Sequence, residues 1–299
     1  MTAEIVVVGS ANLDLVVEVD QIPAVGETVM GGDLRRIPGG KGANQAVAAA
    51  RLGRDVAMVG RLGADEGGEI LRAALTADGV DTTRLITTDE APNGVALIAV
   101  GSDGDNAIVV SPGANARVTP ADVEAAADAL RTAAVTLLQL EIPLDAVTAA
   151  AVAAEGTVIL NPAPAVPLPA DLLSRVDILV PNQTELATLA GHDGPIDAEI
   201  AARLAPTLPS PAVVVTLGAD GALVVDRGVA THVPAPPVTP VDTTAAGDSF
   251  CGALADALVR GETLIDATQW AVRVGAATTQ RPGAQPSLPT PAEVEQLLG

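Results

Sequence analysis

The chain has 299 residues, of which 48% are hydrophobic and only 1% aromatic, and a formal net charge of −21. Its length fits one large α/β domain or two smaller ones, with a core built from Ala, Val, Leu and Ile. The negative charge and the lack of any Lys/Arg cluster exclude nucleic acid as a reasonable partner. No basic segment followed by an apolar one opens the chain, and no apolar run approaches membrane-spanning length. We therefore expect a cytoplasmic protein with no membrane partner.

Short apolar runs alternate with alanine-rich helical patterns along most of the chain. The runs that predict strands are 5–9, 56–60, 136–140, 158–160, 178–180 and 213–217. The patterns that predict helices are 44–52, 66–78, 120–131, 144–154, 183–190, 198–208 and 253–259. Continuous apolar runs are typical of strands covered on both faces. The sequence thus predicts an α/β fold, a single domain over 1–299 with a mostly parallel central sheet and helices on both faces.

Two segments, 13–36 and 93–111, instead alternate apolar and polar residues with a period of two. Residues 101–105 (Gly-Ser-Asp-Gly-Asp) have the composition of a hairpin turn. We expect four short strands here, forming a small separate sheet. Placed over the carboxyl ends of a parallel sheet, such a sheet would act as a lid.

A glycine-containing motif near the C-terminus runs from Asp242 to Gly252 and leads into a helical pattern. The backbone N–H groups of Ala246, Gly247 and Asp248 would point outward from the start of that helix, where they would bind phosphate oxygens. Asp248 stands where a carboxylate would accept a proton from an attacking hydroxyl. An ordinary aspartate cap on a helix that starts at a glycine explains the local sequence equally well.

Lys41 is the only lysine among sixteen basic residues, and it follows Gly39-Gly40 and precedes Gly42-Ala43-Asn44. The spacing is not that of a Walker A loop, in which serine or threonine follows the lysine. An ammonium is a compact point charge, unlike the broad guanidinium fork, so the position suggests a pocket that needs the smaller cation. Asn12 and Asp14, just after the first strand, would add partners for sugar hydroxyls, although Asn after a strand is more often a turn residue.

Five motifs, taken in order, resemble the ribokinase family of carbohydrate kinases, and the resemblance covers nearly the whole chain. They are Asn12-Leu13-Asp14, Gly39-Gly40-Lys41-Gly42-Ala43-Asn44-Gln45-Ala46, Asn161-Pro162-Ala163-Pro164-Ala165, Pro181-Asn182-Gln183-Thr184-Glu185 and Asp242-Thr243-Thr244-Ala245-Ala246-Gly247-Asp248. The resemblance implies ATP-dependent transfer of phosphate to the 5-hydroxyl of D-ribose, with Asp248 as the base and Ala246, Gly247 and Asp248 as the anion hole.

The resemblance also implies a role for further residues. The sugar would contact Asn12, Asp14, Gly40, Lys41, Gly42, Ala43, Asn44, Glu141 and Asp248. The nucleotide would contact Asn182, Thr216, Leu217, Gly218, Ala219, Asp220, Gly221 and Gly247. Glu185 would act indirectly on Mg²⁺, and K⁺ would lie near Asp242, Thr244, Thr278, Arg281, Gly283 and Ser287. Val272 occupies a position where some family members place a histidine beside adenine.

The resemblance further implies a homodimer formed through the lid. Two alternatives remain open. One is a kinase of the same family that acts on another sugar or on a nucleoside. The other is a sugar sensor without catalysis, against which the intact Asp248, Gly247, Asn182 and Glu185 argue.

Overall fold

The computed structural model describes residues 3–103 and 105–298, and within them it contains thirteen β-strands and eleven α-helices. The strands are β1 (Ile5–Val8), β2 (Asn12–Val19), β3 (Arg35–Gly39), β4 (Val56–Gly63), β5 (Leu85–Thr88), β6 (Gly94–Gly101), β7 (Asn106–Ser111), β8 (Val135–Leu138), β9 (Thr157–Leu160), β10 (Ile178–Leu179), β11 (Ala212–Thr216), β12 (Ala222–Asp226) and β13 (Val229–Val233). The helices are α1 (Lys41–Arg51), α2 (Glu66–Ala77), α3 (Pro120–Ala125), α4 (Ala127–Thr132), α5 (Leu144–Ala153), α6 (Ala170–Leu173), α7 (Gln183–Ala190), α8 (Ala198–Leu204), α9 (Ala246–Val259), α10 (Leu264–Thr278) and α11 (Pro291–Leu298).

Nine strands form one large sheet in the order β13-β12-β11-β10-β9-β8-β1-β4-β5. The seven strands from β11 to β5 are parallel, and β11-β12-β13 pair antiparallel at one edge. The chain places β4 on one side of β1 and β8 on the other, so the strand order reverses at β1. Ligands of open α/β sheets bind at the carboxyl ends of the strands beside such a reversal. The fold thus points to the loops after β1 and β8 as a candidate site.

Helices cover both faces of this sheet, as the continuous apolar strands predict. Along β1, Ile5 and Val7 face the apolar layer that contains α1, α9 and α10, and Val6 and Val8 face the opposite layer. All four side chains are 0% exposed, which is why the strand lacks the apolar–polar alternation of a half-exposed sheet. The predicted fold class is confirmed.

Four strands form the separate small sheet, in the order β3-β2-β6-β7. β2 pairs with β6 in parallel, and the other two pairs are antiparallel. The predicted hairpin joins β6 to β7, and its Gly104 lies outside the described residues. Several apolar side chains of the hairpin are about half exposed, namely Leu97, Ile108, Val109 and Val110.

Two predicted helices are wrong in extent. The segment 120–131 forms two helices, α3 and α4, which are separated at Ala126. The segment 198–208 is helical only to Leu204 and continues as a 3-10 turn that contains Pro206, which has no N–H to donate to a longer helix. Conversely, α9 begins at Ala246, seven residues before the helical pattern in the sequence. Among the described residues, none of the helices is both long and apolar enough to cross a membrane.

Candidate functional site

Asp248 is the centre of the site. Its carboxylate lies in the first turn of α9 and is 7% exposed. Asn44 Nδ2 donates to Oδ2 at 2.9 Å, and Gln45 Nε2 donates to Oδ1 at 3.2 Å. Burial raises the pKa of Asp248, although the nearby Lys41 ammonium and these two hydrogen bonds act in the opposite direction. A buried carboxylate held by α1 and shifted toward neutral pH is suited to accept a proton.

A close contact between α1 and α9 brings Asp248 to its two donors. Gly252 lies one turn beyond Asp248, and a Cβ atom there would lie 2.7 Å from the Cβ atom of Ala48 and 3.0 Å from the Gln45 carbonyl oxygen. Any larger residue must therefore push the two helices apart. The glycine sets the distance across which Asn44 and Gln45 reach the carboxylate.

We expect Gly252→Ala to lower both stability and turnover, because the added methyl group separates α9 from α1. Overpacking of this kind costs about 1–3 kcal/mol, measurable by chemical denaturation. Gly67→Ala in α2 is the control, since the nearest atoms to its Cβ would be side-chain atoms 3.3 Å away. Unchanged turnover in folded Gly252→Ala would show that the helix contact does not position Asp248.

The N-terminus of α9 offers backbone donors beside the carboxylate. The Ala246 N–H donates to the Thr243 carbonyl at 3.2 Å, whereas those of Gly247 and Asp248 have no acceptor among the described residues. A Cβ atom at Gly247 would meet nothing within 4 Å, so the space in front of these groups is open. Ala245, the residue before α9, has a positive φ of 59°, which is strained for alanine and turns the chain into the helix. Two of the three predicted N–H groups are therefore free to bind an anion at a helix N-terminus.

Polar side chains near the small sheet form the next part of the site. Asn12 and Asp14 lie on β2 and are 3% and 8% exposed. Asn115 Nδ2 donates to Asn12 Oδ1 at 2.7 Å, and the Asn12 NH₂ group has no partner within residues 3–103 and 105–298. Asn115 is itself fixed by two hydrogen bonds to the backbone of Ala11. Asn12 therefore presents a donor, while the carboxylate of Asp14 presents acceptors.

Glu141 connects the ends of the two central strands. Ser10 Oγ, after β1, donates to Glu141 Oε2 at 2.6 Å, and the backbone N–H of Lys41 donates to the same oxygen at 3.1 Å. Gly40 has a φ of 89°, and its Cβ would lie 2.6 Å from the Asn12 nitrogen. Gly42 is equally confined, since its Cβ would lie 2.6 Å from the Ser10 nitrogen. The glycines around Lys41 thus allow α1 to start directly against the end of β1.

Acidic groups dominate the electrostatics of this cluster. Burial, together with the charges of Glu141 and Asp248, raises the pKa of Asp14 to about 7. Burial acts to lower the pKa of Lys41, but Asp248, Glu141 and Glu185 outweigh it and raise the pKa above its usual value. Lys41 therefore carries a full positive charge at neutral pH and compensates part of the negative charge of these carboxylates.

An apolar cavity of about 500 Å³ opens on the other side of the α9 N-terminus. Its lining includes Ala246 and Gly247 from α9, Val272 from α10, and Pro236 and Pro237 from the preceding loop. Four residues of the predicted nucleotide loop also line it, namely Thr216, Gly218, Ala219 and Gly221. The polar cluster and the cavity therefore meet at Gly247 and Asp248. A polar substrate and a larger, flatter ligand would be held on the two sides of one carboxylate.

The model of the pfkB family of carbohydrate kinases matches residues 2–291. The chain belongs to that family. It is an enzyme that transfers phosphate to an alcohol group, and the resemblance to ribokinases is confirmed. A ribokinase of Schizosaccharomyces pombe is 40% identical, over 97% of this chain and 96% of that one. A deoxyribokinase of Salmonella typhi is 35% identical, over 99% and 98%.

Solved structures agree with this assignment. The structure of Arabidopsis thaliana ribokinase complexed with ribose and ATP has a TM-score of 0.90 and 35% identity, over 100% of this chain and 99% of that one. The fold of this carbohydrate kinase is therefore that of a ribokinase across its full described length.

Asn182 and Glu185 of this pfkB-family chain cap α7. The Asn182 side chain accepts from the Glu185 N–H at 2.8 Å, and Glu185 Oε2 accepts from the Asn182 N–H at 2.8 Å. Burial raises the pKa of Glu185, against the opposing effects of the Asn182 N–H and Lys41. Lys41 and Asp248 both act on this pKa, so Glu185 lies within electrostatic reach of the start of α9.

Hydrogen bonds of Asp242 connect the segment before α9 to the segment after α10. Asp242 Oδ1 accepts from the Thr244 N–H at 2.8 Å and from its hydroxyl at 2.6 Å, and Oδ2 accepts from the Gly283 N–H at 2.8 Å. Burial acts to raise the pKa of Asp242, but these hydrogen bonds lower it. Asp242 is thus an ionised residue that fixes the loop leading into α9.

The other residues predicted around K⁺ lie in the same region but are themselves hydrogen-bonded. Arg281 donates to the Ser287 carbonyl at 3.1 Å and to Glu293 at 2.7 Å. Thr278 is fully buried in α10, and its hydroxyl donates to Ser249 Oγ at 2.8 Å. The Thr278 hydroxyl thus ties α10 to Ser249 of α9, two residues after Gly247.

The remaining predicted nucleotide residues lie outside the cavity lining. Leu217 is 4% exposed and packs in the apolar core, and Asp220 lies on the exposed turn that follows, where its carbonyl contacts His232 at 2.7 Å. Conversely, the sequence did not single out Ser10, Gln139 or Asn115, all three of which are fully or almost fully buried in the site. Their side chains bind other polar side chains or the backbone of the site. In the sequence, their position after a strand or a turn is the only sign of this role.

Proposed function

We propose that this enzyme phosphorylates D-ribose at its 5-hydroxyl, using ATP and releasing ADP and ribose 5-phosphate. The observation that carries the proposal is the position of Asp248, buried between a polar cluster and an apolar cavity at the N-terminus of α9. The names of the S. pombe relative and of the Arabidopsis complex with ribose and ATP support the choice of sugar and nucleotide.

Asp248 acts as the base. As the 5-oxygen of ribose attacks the γ-phosphorus, the bond between that phosphorus and the β,γ-bridging oxygen breaks, and the hydroxyl proton passes to the Asp248 carboxylate. The raised pKa of Asp248 favours this transfer, because a base works best with a pKa closer to the working pH. Asn44 and Gln45 keep the carboxylate in place during the step.

The transferred phosphoryl group lies in the anion hole predicted at Ala246, Gly247 and Asp248. Of these three residues, Gly247 and Asp248 have N–H groups with no acceptor in the part of the chain that the structure describes, and so they supply the donors. Lys41 contributes a positive charge from the sugar side. Adenosine occupies the cavity lined by Val272 and the 216–221 loop, and Asn182 lies toward the phosphates.

The sugar lies among residues that offer both donors and acceptors. It contacts Asn12, Asp14, Gly40, Lys41, Gly42, Ala43, Asn44 and Glu141. The Asn44 Oδ1 atom is buried and has no hydrogen-bond partner among the described residues, so it is available to a sugar hydroxyl. The small sheet, formed from 13–36 and 93–111, closes over the sugar as a lid and excludes water.

The oxygen-rich donor sets fit the two implied cations. Glu185 has a carboxylate oxygen outside its capping bond and would hold Mg²⁺ through water, as this ion usually keeps several waters. Mg²⁺ would neutralise charge on the phosphates. K⁺ would be held by an ionised Asp242 and by backbone oxygens of Thr244, Thr278, Arg281, Gly283 and Ser287.

We also infer a homodimer through the outer face of the small sheet. Leu97 of β6 and Val109 of β7 are paired, lie on the face away from Asp14 and are each more than half exposed. Neighbouring exposed apolar side chains of this kind mark interaction surfaces. Sedimentation of the purified protein tests the inference directly.

A substrate screen tests the function. Purified protein is mixed with ATP and ribose, deoxyribose, fructose or adenosine, with and without K⁺, and ADP release is followed. We expect the highest kcat/KM for ribose and a higher rate with K⁺. A preference for another acceptor would make the chain a different kinase of the same family, and ADP release with none of them would favour a sugar sensor.

Lys41→Arg tests whether a compact cation is needed. The guanidinium keeps the charge but is wider and planar, so we expect kcat/KM for ribose to fall by about tenfold or more. Arg36→Lys is the reverse control, at an exposed ion pair with Glu66, and should leave the kinetics unchanged. Wild-type kinetics in Lys41→Arg would mean that charge alone matters there.

A further inference from the structure

A chain of amide groups runs from the end of β8 to Asp248. Gln139 Nε2 donates to Gln45 Oε1 at 2.6 Å. Gln45 Nε2 in turn donates to Asp248 Oδ1 at 3.2 Å and to Asn161 Oδ1 at 3.3 Å. Gln139 and Gln45 are both 0% exposed, so water does not compete for these bonds. Gln139 does not contact Asp248 and therefore influences it only through Gln45.

The direction of each bond matters because an amide has one end that accepts and one that donates. With the Gln139 NH₂ group facing Gln45 Oε1, the Gln45 NH₂ group must face Asp248. The reversed Gln45 amide would place its carbonyl oxygen against a carboxylate oxygen, where it repels rather than supports. The Gln139 donor thus adds to the preference, already favoured by the acceptor-only carboxylate, for the Gln45 orientation that donates to Asp248.

The fold makes specific room for Gln139. A Cβ atom at Gly9 would lie 2.0 Å from Gln139 Oε1, so only glycine after β1 permits this side-chain conformation. Gln139 Oε1 is buried without a hydrogen-bond partner among the described residues. An apolar residue at position 139 would have no such unsatisfied atom, and the burial of an unsatisfied polar atom lowers stability. Glutamine occupies this place even though only its donor end is hydrogen-bonded among the described residues.

We propose that Gln139 is a positioning residue for phosphoryl transfer, which orients the Gln45 amide so that it donates to the Asp248 carboxylate. The inference rests on the proposed role of Asp248 as the base. Two donors, from Asn44 and Gln45, hold the two carboxylate oxygens and favour the ionised form that accepts the proton. Without Gln139, the Gln45 donor is held less firmly, and the ionised form of Asp248 becomes less stable.

The test is the pH dependence of kcat for Gln139→Met, which keeps the side-chain length but cannot donate. We expect kcat to fall by about tenfold, the effect of losing one hydrogen bond to a charged group. We also expect the acid limb of the kcat profile to move to higher pH by about one unit, with KM for ATP unchanged. Thr136→Val is the control, because this buried residue of the same strand has a hydroxyl with no partner among the described residues.

A double-mutant cycle separates positioning from a general loss of packing. In a Gln45→Leu background, Gln139→Met should cause no further change in kcat or in the acid limb. A lower melting temperature with the acid limb unmoved would overturn the proposal, as would an equal shift in both backgrounds. If Gln139→Met does not fold, Gln139→Leu provides the same test, since its side chain is also apolar and cannot donate to Gln45.

Asp248→Asn separates the positioning role of Gln139 from the role of Asp248 as the base. If Asp248→Asn is inactive while the Gln139 variants have wild-type pH profiles, only the positioning role is overturned. If Asp248→Asn keeps near-normal turnover, the proposed base is wrong, and the positioning proposal is overturned with it.

Discussion

Asp248→Asn is expected to lose about a thousandfold in kcat while still binding ribose, because the amide cannot take up the hydroxyl proton. The fold should survive the change. Asn44 Oδ1 has no partner among the described residues, so a rotated Asn44 amide would accept a hydrogen bond from the new NH₂ group. Initial rates of ADP release measure the loss, and isothermal titration with ribose measures the retained binding.

Asp197→Asn is the matched control for this variant. Asp197 caps α8 through a hydrogen bond to the Ile200 N–H, and asparagine caps a helix about equally well. It should have wild-type kinetics. An Asp248→Asn enzyme with near-normal turnover would exclude Asp248 as the base, whatever its effect on stability.

Asp14→Asn is expected to stabilise the unliganded protein at pH 8 while weakening ribose binding. The pKa of Asp14 is raised from 3.8 to about 7, so the folded protein holds a proton there that the unfolded chain has lost. The destabilisation by the charge is therefore complete above pH 7, shrinks as pH falls, and disappears near pH 4. Three pKa units correspond to at most about 4 kcal/mol, which denaturant unfolding at pH 8 and pH 5 would detect.

The same substitution removes a charged acceptor from the proposed sugar site. We expect ribose affinity to fall by about tenfold or more, the usual effect of losing a hydrogen bond to a charged group. For the wild type, affinity should decline as pH falls below about 7, and Asp14→Asn should flatten that decline. A pH-independent wild-type affinity would contradict the assignment.

Asp122→Asn provides a control of opposite sign for the stability measurement. Burial acts to raise the pKa of Asp122, but the Arg61 guanidinium, bound through both carboxylate oxygens at 2.8 and 2.9 Å, lowers it. This pair stabilises the fold above pH 4 and is lost only as pH falls through the lowered pKa. Asp122→Asn should therefore destabilise the protein at pH 8, where Asp14→Asn stabilises it.

The fold was largely predictable because the parallel strands are buried on both faces. That burial makes each strand a continuous apolar run, as in β1 and β8, and the alternating pattern of the small sheet contrasts with it. The sequence did not single out β12 and β13 as strands, nor α10 as a helix. The break at Ala126 was missed as well, because alanine-rich sequence gives no local signal for where one helix ends and the next begins.

The site was only partly predictable, for a different reason. Asp248, Lys41 and Asn44 lie in glycine-containing motifs that mark close approach of the backbone to a ligand. Gln139 and Asn115 act through partners 94 and 103 residues away in sequence, and nothing in their own neighbourhood reveals those pairings. Side chains that orient other side chains become recognisable only when the fold brings them together.

The unique lysine has a practical consequence for chemical labelling. Apart from the N-terminal amine, Lys41 is the only primary amine of the chain, so the only side chain that an amine-directed reagent modifies lies in the proposed sugar site. The three carboxylates that raise the pKa of Lys41 keep it protonated and therefore slow to react with acylating reagents. Labelling of Lys41, measured separately from that of the N-terminal amine, should thus rise only at alkaline pH and be blocked by ribose, so that it reports substrate occupancy.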